Sequence, residues 1–281
     1  MATITEGVNR WSFSSLLLYL LVVLMAIPMV YPFVYTISTS FLPVSEMFKF
    51  PPQIIPHRPT IEHYIKLIKE QNILLYTFNT IFWVVTSLVL TTFFNSLAGF
   101  VFAKYEFRYK KELFAFLLGT MMVPTTAMLV PSYLVLLKLR MVNNYWGLII
   151  PGITSAFNIF MMRQYMLSIP TELMDAARTD GCSEFGLYWR VGIPLSKPIL
   201  GTSALLHAMG TWNEYMWPAV ILRSENLYPL AVKVANLNDI VHRTDFGLLA
   251  AAAAWMTFPF LLLFIIFNRQ FIEGFTNSIT E

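Results

Sequence analysis

Charge is scarce in this sequence. Lys and Arg number 19, Asp and Glu 16, and together they make up 12% of 281 residues. A soluble domain carries about 25%, so a globule of this composition could not cover its surface with solvated groups. Hydrophobic residues stand at 57% and mean hydropathy at +0.60, which argues against both a soluble enzyme and a disordered chain. An excess of one sign is missing too: the formal net charge of +3 offers no concentrated basic stripe for nucleic acid. The single cysteine, Cys182, rules out an internal disulfide and a thiolate metal cluster. The four histidines, His57, His63, His207 and His242, are too scattered for a metal site on helical spacing. What remains is a polytopic membrane protein.

Six windows are free of Asp, Glu, Lys and Arg except for Glu214: 11–45, 71–103, 113–137, 141–162, 198–222 and 246–268. An ionised side chain near the bilayer centre costs about 2.5–3.5 kcal/mol, so such windows mark spans. Each exceeds the roughly 20 residues a helix needs to cross about 30 Å of hydrocarbon. The expectation is an all-α fold in one transmembrane domain, 1–281, with six helices at about 13–41, 74–103, 113–137, 145–167, 198–222 and 246–268. The apolar core from Leu16 to Ile27 runs on through Pro28 and Pro32 without a small-residue cleavage site, so the first helix is expected to be retained. The densest basic cluster near a span end, KYEFRYKK at 104–111, favours cytoplasmic termini.

Between the spans, EHYIKLIKE at 62–70 suggests a short amphipathic helix whose apolar Tyr64, Ile65, Leu67 and Ile68 face the membrane interface. The most informative connection is 168–197. Pro170 suits the first turn of a helix, and Glu172 agrees with its dipole. Gly181 can end that helix in the left-handed conformation, Ser183 can cap a second, and Pro194 stops it. Two short helices joined by a sharp turn then display Ala176, Ala177 and Asp175. A small-residue face admits another surface closely, and a flanking carboxylate meets an arginine. The alternatives are a docking element for a protein partner and an interfacial hairpin with none.

This segment resembles the EAA loop of ATP-binding-cassette (ABC) importer permeases. That pattern is Glu-Ala-Ala, three residues, Gly, nine residues, then Ile-x-Leu-Pro. Here it stands as Asp175-Ala176-Ala177, three residues, Gly181, nine residues, then Val191-Gly192-Ile193-Pro194. Asp replaces Glu, Val replaces Ile and Ile replaces Leu. The stretches MMVPTTAMLVPSYLVLLKL, NNYWGLIIPGITSAFNIFMMRQYMLSIP, TWNEYMWPAVIL and FNRQFIEGFTNSITE look like the maltose-type and glycerol-phosphate-type carbohydrate permeases, in particular the six-helix second subunit of the pore.

The resemblance implies the type I importer permease fold, a bacterial or archaeal cell membrane, and a set of partners. These are a second permease chain, two ATPase subunits that bind ATP and Mg, an extracytoplasmic binding protein, and a carbohydrate as cargo. It implies no cofactor in this chain and no catalytic residue; no G-x-x-x-x-G-K-[ST] phosphate loop occurs. It assigns Asp175, Ala176, Ala177, Gly181, Ile193 and Pro194 to the ATPase-coupling interface. Asp180 belongs to that segment either as a contact or as a local cap beside Gly181. Arg178 and Arg190 fit either lipid headgroups or the docking face.

Polar residues within the spans are candidates for the translocation path: Ser155, Asn158, Asn213 and Glu214. Each is also able to join helix to helix, and Trp212, Trp217 and Pro218 suggest that Glu214 lies near an interface belt. His207 suits a hydrogen-bonded core position better than a proton relay. The 223–245 loop matches the place where the family's second subunit reaches the binding protein, which makes Asn236, Asn238, Asp239 and His242 candidate contacts; a plain connector is the alternative. A secondary transporter driven by an ion gradient is the competing function. It calls for several intramembrane carboxylates, and this chain has one.

Overall fold

The computed structural model describes residues 13–47, 49–50, 55–238 and 245–259. Among these, every regular element is a helix. The chain divides into two compact units, one made of the residues up to 71 together with 237–255, the other of 72–236 with the chain from 256 onward.

In the first unit, helix Phe13–Thr39 runs unbroken through Pro28 and Pro32. From Leu16 to Val34 its large side chains are exposed on every side, and a helix apolar all round requires an apolar medium. At its end Ser40 donates to the Ile37 carbonyl and bonds the Tyr64 hydroxyl, 2.7 Å away. Helix Glu62–Lys69 turns His63 and Leu67 inward, one helical turn apart, and leaves Ile65 and Ile68 outside. The protein-facing stripe is thus an i, i+4 pair with one polar member, and Ile65 and Ile68 stand on the face turned away from it. His63 Nε2 bonds the Leu42 carbonyl at 2.9 Å, and Gly247 lies flush against its ring, where a Cβ would collide.

The second unit is organised around one long helix, Ile73–Lys104. Its buried face carries Thr80, Ser87, Thr91, Asn95 and Ser96. In an apolar run such groups must be satisfied internally. Thr80 donates to Tyr76 O and Ser87 to Val84 O within the helix. Thr91 reaches Gly152 O, and Asn95 Oδ1 accepts from the Ser155 amide at 3.1 Å. Gly99 lets helix Ala156–Leu167 approach so closely that a Cβ would stand 2.5 Å from Met162 Cβ.

Among the described residues, two helices qualify alone as membrane spans by length and apolar composition, Ser15–Thr39 and Ile73–Lys104. Three of the other expected spans are interrupted. The 113–137 run is two limbs, Lys110–Thr120 and Thr125–Lys138, bent by 92°. The break falls at Pro124, which takes an extended conformation and has no N–H to continue the ladder. The 145–167 run bends by 43° between Tyr145–Gly152 and Ala156–Leu167, across Pro151 and the Ser155 cap. The 198–222 run is helix Lys197–Asn213, an extended Glu214, then helix Met216–Ile221. The last helix is described from Phe246 to Pro259, so the rest of the 246–268 window lies outside the described residues. Charge-free windows locate apolar stretches but are blind to breaks inside them.

Candidate functional site

Residues 168–197 form an elbow. Its first helix is Thr171–Thr179, with Pro170 one residue ahead of the first turn rather than in it. Gly181 ends it at φ +80°. The Cys182 amide then bonds Ala177 O and the Gly181 amide bonds Arg178 O, both at 3.0 Å. This double closure satisfies the last carbonyls, and it needs a left-handed residue at Gly181. Ser183 accepts from the Gly186 amide at 3.2 Å and starts the second helix, Glu184–Leu187. Pro194 does not stop the run as the sequence suggested. A wider π turn, Tyr188–Gly192, precedes it, and the helix continues to Leu195. The wider turn gives the pyrrolidine ring room that a regular α turn lacks.

The elbow rests on a core of Phe100, Met166, Ile169, Met174, Leu187 and Tyr188. Tyr188 also bonds Ser96 of the long helix through its hydroxyl, 2.7 Å away. Ala177 is half-buried and packs toward this core, so of the expected Ala-Ala display only Ala176 is exposed. Asp175 is 68% exposed at its side chain. Asp180 occupies the C-cap with its carboxylate exposed. Ile193 is half-buried beside the core, and Pro194 is exposed.

Arg178 joins the elbow's two helices. Its Nη1 donates to Asp175 Oδ1 at 2.8 Å, while Nε and Nη2 donate to the two oxygens of Glu184 at 3.0 and 3.2 Å. Tyr105, just past the end of the long helix, donates its hydroxyl to Glu184 Oε2. Glu184 is held below the usual carboxylate range, first by Arg178 and then by Tyr105, and Arg178 is pushed above its ordinary value, chiefly by Glu184. From Thr171 to Glu184 there are four carboxylates (Glu172, Asp175, Asp180 and Glu184) against Arg178 alone, a net of −3. This part of the elbow therefore favours a basic partner surface, while Arg190 and Lys197 bring the net over 168–197 to −1. A cleft of about 470 Å³ beside it is lined by Phe100, Phe107, Phe185 and Tyr188, with Glu106 and Glu184 on its walls.

The expected path residues fall into two groups. Ser155 caps helix Ala156–Leu167 by accepting from the Asn158 amide at 3.3 Å, and Asn158 is buried. Asn213 is exposed and donates to Met209 O, and Glu214 accepts from the Trp217 amide at 3.1 Å. His207 bonds Ser87 at 3.1 Å, as a core histidine should. Asn236 and Asn238 are exposed; Asp239 and His242 lie outside the described residues.

Sequence reasoning missed the residues that fasten segment 221–236. Asn143, at φ 60°, accepts on Oδ1 from the Arg223 and Ser224 amides, both at 2.9 Å, and donates to Ser224 Oγ at 2.8 Å. Asn79 donates to the carbonyls of Asn226 and Tyr228, and Thr80 accepts from the Leu230 amide. The available signal was an asparagine at the edge of, or within, an apolar run.

Residues 95–276 match the model of the binding-protein-dependent transport system inner membrane component family. The chain belongs to this family. It is similar to the arabinooligosaccharides transport system permease protein AraQ of Halalkalibacterium halodurans, with 33% identity over 250 residues, 88% of this chain and 89% of that one. It is also similar to the maltodextrin transport system permease protein MdxG of Bacillus subtilis, with 28% identity over 266 residues, 94% and 95% of the two chains. Among solved structures, a chain of a bacterial ABC transporter involved in the import of the acidic polysaccharide alginate superposes with a TM-score of 0.85. That match has 25% identity and covers 93% of this chain and 99% of the other. This family member is thus a multi-pass membrane permease subunit of an ABC importer, and hydrolysis is the task of other subunits.

Proposed function

We propose that the permease forms half of a heterodimeric pore for a carbohydrate, with its elbow seated on one of two ATPase subunits. An extracytoplasmic binding protein delivers the cargo, and ATP with Mg is held by the ATPase pair. The termini and the elbow are then cytoplasmic, and Asn236, Asn238, Asp239 and His242 lie on the binding-protein side. Closure of the ATPases on ATP pushes the elbow, and the helices respond by alternating access around a central path, with Ser155, Asn158, Asn213 and Glu214 as its candidate polar groups.

The observation that carries this reading is the elbow itself. A buried anchor, Met174, fixes a helix whose exposed face bears Asp175 and Ala176 within a net −3 segment. The saccharide cargoes named for the similar permeases support the substrate class. Asp175→Lys reverses the docking charge and is expected to abolish ATPase stimulation by the loaded binding protein while the chain still inserts. Unchanged stimulation would remove Asp175 from the interface. Purification of the chain from its cells in mild detergent should bring along a second permease and an ATPase. Recovery of this chain alone, active with an ion gradient and no ATP, would overturn the reading.

A further inference from the structure

The chain Tyr105–Glu184–Arg178–Asp175 is a continuous set of polar contacts from the end of the long helix to the exposed carboxylate of the elbow. We infer that Arg178 and Glu184 are positioning residues, a latch that makes the orientation of Asp175 follow the end of the long helix. The inference rests on the proposed docking of the elbow to an ATPase, and concerns how that docking carboxylate is held.

Three features give the latch its direction. Arg178 spends Nε and Nη2 on both oxygens of one carboxylate, and this two-pronged grip fixes the plane of the guanidinium. Its remaining bond, from Nη1, then holds Asp175 at a set place instead of leaving a solvent-swept side chain. Glu184 is fixed from the other side: Tyr105 binds one of its oxygens, and the Tyr105 ring packs on buried Phe100 with centroids 5.8 Å apart. The first residue of the second elbow helix is thereby referred to the long helix. The contact from 178 to 184 also bridges the Gly181 turn, the elbow's natural hinge. Two carboxylates share one guanidinium, so the cluster keeps one negative charge for a cation of the partner. Asp175 has lone pairs left to accept a hydrogen bond from that cation.

A lysine at position 178 would keep the charge but not the fork, because an ammonium is a point donor that cannot grip two carboxylates in one plane. This separates a latch from simple charge balance. The experiment is the affinity of the purified ATPase for the permease pair in nanodiscs, for wild type, Arg178→Gln, Arg178→Lys, Glu184→Gln, the Arg178→Gln/Glu184→Gln double variant and Tyr105→Phe. Insertion of each is checked by size-exclusion profile. Either glutamine variant, and Arg178→Lys, should weaken binding about tenfold, and Tyr105→Phe by less. The double variant should be no weaker than the worse single one, since the two residues act as one unit.

Wild-type affinity for Arg178→Lys would overturn the latch in favour of charge alone. Multiplying effects of Arg178→Gln and Glu184→Gln would overturn it as well. If Asp175→Lys abolishes binding while every latch variant binds normally, docking stands and the latch falls. If the wild-type pair binds no ATPase, the docking proposal falls and takes the latch with it.

Discussion

The elbow and segment 221–236 are both short-helix connections fastened to the long helix, yet they are fastened by different chemistry. Beyond its buried core, the polar ties of the elbow are charges: Arg178 between Asp175 and Glu184, with exposed carboxylates around it. Segment 221–236 is tied mainly by neutral amides that grip backbone, Asn143 on 223–224 and Asn79 on 226 and 228. Side chain-to-backbone bonds hold regardless of which side chains the gripped segment carries, and they are indifferent to salt. Ion pairs on a surface are weak, screened and exchangeable. The permease thus fixes one connection with neutral groups and holds the other with a charged cluster that keeps one surplus negative charge.

The comparison breaks most sharply at Asn143. Asn143→Ala removes three side-chain hydrogen bonds and leaves the Arg223 and Ser224 amides and the Ser224 hydroxyl without them. The loss is expected to reach about 2 kcal/mol, read as a lowered thermal midpoint of the purified permease in detergent. Part of that comes from the left-handed backbone at φ 60°, which alanine resists. Asn143→Gly relieves the backbone alone and should recover only that part. Equal stability of wild type and Asn143→Ala would show that 221–236 is held by packing, and the contrast with the elbow would disappear.

Much of the elbow was legible because its signals are local. Glycine at Gly181, a cap at Ser183 and a carboxylate at Asp175 each act within a few residues of themselves, and the structure places the first two as expected. Spacing could not tell which of two adjacent small residues, Ala176 or Ala177, turns toward the core. The latch was invisible for a similar reason: Tyr105 and Glu184 are 79 positions apart, and nothing in either stretch names the other. Charge-free windows found the apolar runs, but the bends at Pro124 and near Pro151 required knowing where the backbone's missing hydrogen bond falls. The asparagine clamps were hidden because a lone Asn beside an apolar run fits a cap, a pore or a helix contact equally well.

A smaller effect is expected at the elbow's hinge. No atom beyond its two chain neighbours lies within 4 Å of where a Cβ on Gly181 would sit, so Gly181→Ala bears mainly the strain of φ +80°. That strain costs roughly 1–2 kcal/mol. Gly181→Asn should lose less, since asparagine tolerates the left-handed region. Thermal unfolding of the three proteins would order them Gly, Asn, Ala; an alanine variant as stable as wild type would mean that the turn is not fixed at this residue.

The smallest effect, and the one that separates the two chemistries most directly, is the response to pH and salt. The pKa of Glu184 is lowered from an ordinary 4.5 by Arg178 and Tyr105. A lowered carboxylate pKa means that the folded form binds its proton less readily than the unfolded form. Its stabilisation is therefore complete above 4.5 and is lost as pH falls through the lowered value. Hydrogen-exchange protection factors for the elbow amides should hold at neutral pH and fall at that acidic limit. At constant neutral pH they should also fall with added salt, as exposed ion pairs do. The Arg223 and Ser224 amides, held by the neutral Asn143 oxygen, should keep their protection against salt. Equal salt sensitivity in the two segments would show that the ion pairs do not hold the elbow, and that Tyr188 and Met174 suffice to seat it.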